Sequence, residues 1–243
     1  MGVETDEVRD GATACASVSG VRTRVKVCCI KSLDEARTAV RLGADAVGLV
    51  GEMPSGPGPI PDALIAEIAA TIPPGVASFL LTSRTSPADV VDHVSTCGTS
   101  VVQLVSPVPL EAYAAIRETC PSVRIVQVVH VEDESSIATA ARLAAHVDAV
   151  LLDSGRPNDT VPQLGGTGRT HDWTLSRDIV RRLDIPVLLA GGLDSTNVGD
   201  AITRVRPFGV DLCSGVRTGG ALDPAKLEAF MTAVGRADGG AGP

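Results

Sequence analysis

The chain has 243 residues, close to the ~250 typical of a single (β/α)8 barrel, and its 44% apolar content supplies one large core. Aromatics make up only 2%, so that core must be aliphatic and alanine-rich, while a net charge of −8 without a basic run argues against nucleic acid and membrane partners. No stretch approaches the ~18 apolar residues of a membrane span, the N-terminus lacks a signal-peptide core, and six scattered cysteines without metal spacing read as reduced, cytoplasmic thiols.

Residues 1–23 are polar, small and acidic without periodicity, and are expected to form a disordered tail. From Val25 onward, short apolar runs alternate with amphipathic helical patterns. Strands are expected at 25–30, 46–50, 76–81, 100–104, 124–129, 149–152, 186–190 and 209–212. Helices are expected between them at 33–42, 62–72, 87–97, 110–119, 134–145, 175–183, 195–205 and 224–234. Ser32 with Glu35 reads as a capping box, while Ser86-Pro87 and Asp223-Pro224 place a cap before a proline in the first turn. Asp172 and Trp173 are expected to cap and anchor the sixth helix. His93 and His146 fall in helical segments and are read as surface residues.

Eight strand–helix pairs with near-continuous apolar strands imply a parallel sheet covered by helices. No Gly-rich dinucleotide fingerprint opens the first unit, so the expected architecture is a single closed α/β TIM barrel over residues 24–237. Residues 238–243 are expected to be a flexible C-terminus. The connection from about 153 to 173 is the longest and should lie on the catalytic face.

In such barrels the site forms at the C-terminal ends of the strands. Those ends supply Cys28, Cys29 and Lys31, then Gly51 and Glu52, Arg84, Gln103, His130 and Asp153. The last two strands run VLLAGGL at 187–193 and VDLCSGV at 210–216, each stopping near glycine before a helix signal. Paired loops of that kind offer bare backbone N–H groups to a phosphate, through Gly191, Gly192, Ser214 and Gly215, with Gly166 nearby. Alternation along the first strand puts Lys26 and Cys28 on one side and Cys29 on the other, toward the helices if Cys28 looks inward.

Several blocks then carry a resemblance. They are KVCCI at 26–30, GADAVG at 43–48, VVQL at 101–104, LLDS at 151–154, GGTG at 165–168 with Asp172-Trp173, LAGGL with Asn197-Val198, and RPFGVDLCSGV at 206–216. Together they resemble the phosphoribosylanthranilate isomerase family over nearly all of residues 25–236. The resemblance implies an Amadori rearrangement of N-(5-phosphoribosyl)anthranilate, without metal or organic cofactor, on a phosphorylated sugar substrate. It matches Cys28 to the base at sugar C2 and Asp153 to the acid on the ring oxygen. A thiol with a free pKa near ~8.5 suits proton transfer when a cation favours the thiolate, and a carboxyl serves as acid at neutral pH only if burial raises it. Lys26, Arg84, Gln103, His130 and Asp211 are the remaining candidate substrate contacts. Lys26 reads as an ion-pair or cysteine-polarising residue, with imine formation as the other use of a buried strand lysine. Monomers and dimers both occur in the family, so a homodimer is compatible.

The chain departs from the family pattern in three places. The Ser-Pro-Arg segment, whose arginine helps hold the anthranilate carboxylate, is replaced by PSGPGP at 54–59. The HG after the fourth strand's QL becomes Val105-Ser106, and Cys29 and Arg217 stand where a glycine and an acidic residue are usual. Arg84, His130 and Arg217 are the cations available to compensate. Two other functions stay open on these departures: a related barrel isomerase or lyase for another phosphorylated sugar amine, and a non-catalytic sugar-phosphate-binding homologue. Cys97, Cys120 and Cys213 read as small packing residues, as does Cys29.

Overall fold

The computed structural model describes residues 22–54, 56–154 and 172–239. Eight parallel strands close into a barrel: β1 Arg24–Val27, β2 Ala46–Val50, β3 Ala77–Thr82, β4 Val101–Leu104, β5 Arg124–His130, β6 Ala149–Asp153, β7 Val187–Leu189 and β8 Gly209–Leu212. Each pairs with the next, and β8 returns to β1 with Lys26 opposite Asp211 and Val27 opposite Leu212. The helices are α1 Leu33–Arg41, α2 Asp62–Thr71, α3 Pro87–Cys97, α4 Leu110–Thr119, α5 Ser135–Ala144, α6 Trp173–Arg182, α7 Val198–Val205 and α8 Pro224–Gly239.

Strand alternation divides the apolar residues into two cores. Val27, Val47, Leu49, Leu80, Val102, Leu104, Ile125, Val150, Leu152 and Leu189 face the helices. Ala46, Val50, Phe79, Leu81, Val101, Val126, Val128, Ala149, Leu151 and Leu188 fill the barrel. The inward parity also carries Lys26, Gln103, Asp153 and Asp211, all buried. The scarcity of aromatics is thus met by small and branched side chains, with Phe79 the bulkiest apolar residue inside.

The expected caps form. Ser32 accepts from the Glu35 N–H, Ser86 from Asp89 ahead of Pro87, Asp172 from Thr174, and Asp223 from Ala225 and Lys226. Glu35 does not reach back to its own cap; its carboxylate accepts from the Lys31 and Leu222 N–H groups.

Three boundaries move by three residues or more from expectation, and one pair of strands is new. β1 stops at Val27, three residues early, because Cys29 takes a left-handed backbone (φ 62) that no strand continues. α7 begins at Val198, since Asp194 and Asn197 form a local turn in which Asn197 Oδ1 accepts from the Asp194 N–H. A short antiparallel pair, β9 Arg217–Thr218 with β10 Ala221–Leu222, was not anticipated. α8 runs to Gly239, five residues past its expected end, and Asp238 accepts from both the N–H and the hydroxyl of Thr23. The tail expected at 1–23 lies outside the described residues up to position 21.

His93 is not a surface residue. It is buried on the inner face of α3, with Nδ1 2.9 Å from Thr82 Oγ1 and Nε2 3.1 Å from Asp62. Burial lowers its pKa against the pull of Asp62, keeping the imidazole neutral as a tie between β3, α2 and α3.

Candidate active site

The strand ends open into one cleft of roughly 700 Å³ including its mouth. Its lining includes Cys28 and Cys29 after β1, Gln103 and Val105 at β4, Asp153 ending β6, Gly191 and Gly192 after β7, and Asp211, Cys213 and Ser214 at β8. Val50, Met53, Pro57 and Leu81 make the apolar part of the same lining.

Beneath the cleft lies a buried ion pair, with Lys26 Nζ 2.9 Å from Asp211 Oδ1. Burial works against the ammonium, but Asp211 and the neighbouring Cys28 more than offset it, so Lys26 is held firmly protonated. Its charge also lies over the Phe79 ring, 5.2 Å from the centroid. A permanently charged, ion-paired amine has no lone pair for a carbonyl, so the imine-forming use of Lys26 does not fit this geometry. Gly48 of β2 makes the arrangement possible: a Cβ there would sit 2.9 Å from Cys28 Sγ and 3.2 Å from Lys26 Nζ. Thiol and ammonium therefore converge over a bare glycine, which was legible in the sequence only as part of a motif.

Asp153 is nearly inaccessible, and burial raises its carboxyl to about 6, with the negative Asp211 adding to the effect. The Ser154 N–H, donating to Oδ1 at 2.7 Å, opposes the rise. Such a carboxyl holds a proton far closer to neutrality than an exposed aspartate. Gln103 Oε1 is buried in the lining with no partner among the described residues, a polar atom left for a ligand.

The phosphate candidates converge as well. Gly191 and Gly192 both adopt positive φ (92 and 62), which glycine takes readily, and both line the cleft together with Ser214. Gly215 lets the loops after β7 and β8 touch, since a Cβ there would lie 2.2 Å from the Leu193 carbonyl oxygen. Gly166 falls outside the described residues.

Three expected positions are corrected. Arg84 leaves the cleft and bonds Asp62 at 3.1 Å and Asp92 at 3.3 Å, because two helix carboxylates lie nearer than any ligand. The grouping of possible metal ligands at Asp62, His93 and Cys97 lies in this same network; burial raises the Cys97 thiol to about 12 and Arg84 already occupies the carboxylate, so the set suits a structural tie better than an ion. His130 ends β5 opposite Asp153 in register, yet it is half-buried and not among the residues lining the cleft, and burial lowers its pKa. Arg217 points its guanidinium to Glu35 and to the carbonyl oxygens of Cys28 and Cys29, holding the β1–α1 turn rather than a ligand. Burial would raise Glu35, but the N–H groups of Leu222 and Lys31 and the Arg217 guanidinium bring it below its usual value.

Cys29 does not face the helices as alternation predicts: it packs in the barrel core, with Cys213 against that core. With β1 ended, the positive φ of Cys29 swings its thiol off the helix side, and its Sγ lies 2.8 Å from Cys213 Sγ at the cleft wall.

Comparison with known proteins joins these features. The family model for N-(5'-phosphoribosyl)anthranilate isomerase matches residues 25–233. The chain belongs to the N-(5'-phosphoribosyl)anthranilate isomerase family. The isomerase of Halobacterium salinarum is 41% identical over 213 residues, covering 86% of this chain and 94% of that protein. That of Methanocella arvoryzae is 36% identical over 194 residues, covering 80% and 89%. Among solved structures, the isomerase of Thermotoga maritima superposes with a TM-score of 0.75 at 31% identity, covering 88% and 99%. Another isomerase, solved with reduced 1-(o-carboxyphenylamino)-1-deoxyribulose 5-phosphate, gives 0.72 at 29% identity, covering 88% and 99%. Both the barrel and the isomerase assignment drawn from the sequence stand. No helix among the described residues is long and apolar enough to cross a membrane.

Proposed function

We propose that this chain isomerises N-(5'-phosphoribosyl)anthranilate to 1-(2-carboxyphenylamino)-1-deoxyribulose 5-phosphate, with Asp153 as general acid and Cys28 as general base. The observation that carries this is the shared cleft: a carboxyl raised to about 6 and a thiol beside a locked ammonium open onto the same glycine loops. Asp153 gives its proton to the ring oxygen as the bond from that oxygen to C1 breaks, and the amine lone pair forms the C1=N bond. Cys28 then removes the C2 proton, and the electron pair moves to make the C1=C2 enolamine. Transfer of the enol proton and protonation at C1 give the ketose. Every atom is conserved.

The Lys26 ammonium and the Cys28 thiol converge over Gly48, and Asp211 keeps that lysine in place. Gly191, Gly192, Ser214 and Gly215 are the phosphate cradle in this reading. The apolar wall of Val50, Met53, Pro57 and Leu81 suits the anthranilate ring, and the orphan Gln103 Oε1 suits a sugar hydroxyl. Among the described residues, none of Arg84, His130 and Arg217 lines the cleft. Free thiols at all five described cysteines support a reducing, cytoplasmic setting.

Incubation of the purified chain with N-(5'-phosphoribosyl)anthranilate should yield the ketose, read by NMR as loss of the anomeric proton. Cys28→Ala should lower kcat by about 100-fold or more, the usual size of a general-base contribution, while inorganic phosphate still competes for binding. Conversion unchanged by Cys28→Ala rejects the mechanism, and binding without conversion by the unaltered chain leaves the non-catalytic homologue. Gly215→Ala should weaken phosphate competition about tenfold with a smaller effect on kcat, because the new methyl pushes the two loops apart.

A further inference from the structure

Cys29 and Cys213 are used by none of the steps above, yet their sulfurs are only 2.8 Å apart across 184 residues of sequence. Both line the cleft, and Cys213 is partly open to solvent. The pair is held from several directions. Arg217 bonds the Cys29 carbonyl and is itself fixed by Glu35. The Cys29 thiol reaches the Pro57 carbonyl at 3.4 Å, and bare Gly58 packs over it, where a Cβ would come within 2.7 Å of Cys29 Cβ. Neither thiol can withdraw far without disturbing β1, β8 or the loop after β2.

We infer that Cys29 and Cys213 form a reversible disulfide on exposure to hydrogen peroxide, and that this bond switches the isomerase off. The Cys213 sulfur attacks one peroxide oxygen, the O–O bond breaks, and hydroxide leaves to take up the proton Cys213 has shed. Cys29 then attacks the resulting sulfenic acid, forming the S–S bond as the S–O bond breaks and water departs. Two thiols lose two electrons in all, and the peroxide becomes two waters. Contact with the Cys29 thiol and the nearby Arg217 charge lower the Cys213 thiol against its burial, consistent with Cys213 attacking first, while the Cys213 contact and burial raise Cys29.

Bond formation must bring the sulfurs ~0.8 Å closer, to a disulfide length of about 2.0 Å. That movement falls on the neighbours of both proposed functional groups, Cys28 beside Cys29 and Ser214 beside Cys213. Displacements of this size cost up to about 100-fold in rate when they misplace reacting groups.

The test treats the full chain with hydrogen peroxide, alkylates the remaining thiols and maps tryptic peptides. Peptide 27–31 should be joined to peptide 205–217, with the whole protein lighter by two hydrogens and turnover falling about 10- to 100-fold. Dithiothreitol should restore both. Cys29→Gly, which suits the positive φ, and Cys213→Ser should each abolish the cross-link and the dithiothreitol-reversible part of the inactivation. Peptides that stay separate in the unaltered chain overturn the inference, as does a cross-link that persists in Cys29→Gly or leaves turnover unchanged. The mass readout does not depend on the substrate, so its failure is distinguishable from failure of the isomerase reading.

Discussion

Asp153→Asn should make the protein more stable and nearly inactive at once. Its carboxyl rises from 3.8 to about 6 on folding, mainly by burial, so the folded state binds the proton more tightly than the unfolded chain does. Stability from this group is therefore greatest below about pH 4 and falls as pH rises to about 6, after which the full cost of ionising it in place remains. A shift of this size corresponds to roughly 3 kcal/mol. Asn keeps the oxygen that accepts from the Ser154 N–H but never ionises. At pH 7 the variant should gain of the order of 2–3 kcal/mol in urea unfolding, with the gain vanishing near pH 4. Its kcat should drop about 10²- to 10⁴-fold, as expected on losing a general acid. The limb near pH 6 in the unaltered enzyme's kcat/KM profile, where activity declines as the acid deprotonates, should disappear. A variant of unchanged stability would mean that Asp153 is better solvated than its place at the end of β6 implies.

Lys26→Met should be the most damaging single change to stability. It leaves Asp211 buried, negative and without the ammonium now 2.9 Å away. Removing one partner of a buried ion pair costs about 3–5 kcal/mol. The sign of its pH dependence follows from Asp211, whose carboxyl burial already raises against the pull of Lys26. Without the lysine it rises further, so the deficit should be small in acid, where Asp211 is neutral in both states, and should grow with pH through the carboxylate range. Lys26→Met with Asp211→Leu should recover part of the loss, because no charge is then buried. Recovery of stability without recovery of turnover would separate the pair's structural role from its charge on Cys28. Equal losses in the single and double variants would show the pair to be simple packing.

Much of this site was legible because its parts are local. The capping signals at Ser32, Ser86, Asp172 and Asp223 are read within four residues, and each side chain caps its helix, although Glu35 leaves the box at Ser32 half formed. Inner parity from Lys26 through Cys28, and the polar ends at Gln103, Asp153 and Asp211, follow from alternation alone. His93 was misplaced although a signal existed: Val90, Val94 and Cys97 define the buried stripe of α3, and position 93 lies on it. Cys29 was misplaced because alternation was carried past the true end of β1. Its tell was a cysteine standing where the family pattern it resembles has glycine, the residue that takes a positive φ most easily. Arg84 was misplaced because strand-end position says nothing of which carboxylates neighbouring helices present.

The order of elements, the closed barrel and the glycine loops after β7 and β8 were determined by the sequence itself, since periodicity and turn chemistry act over a few residues and are written along the chain. The pairing of Lys26 with Asp211, of Cys29 with Cys213, and of Arg217 with the β1–α1 turn was decided only by tertiary structure. Each joins the first βα unit to the last, and they meet because β8 closes on β1. No local pattern records which side chains will share that seam, because their contact energies arise only after the barrel has shut and water has left it.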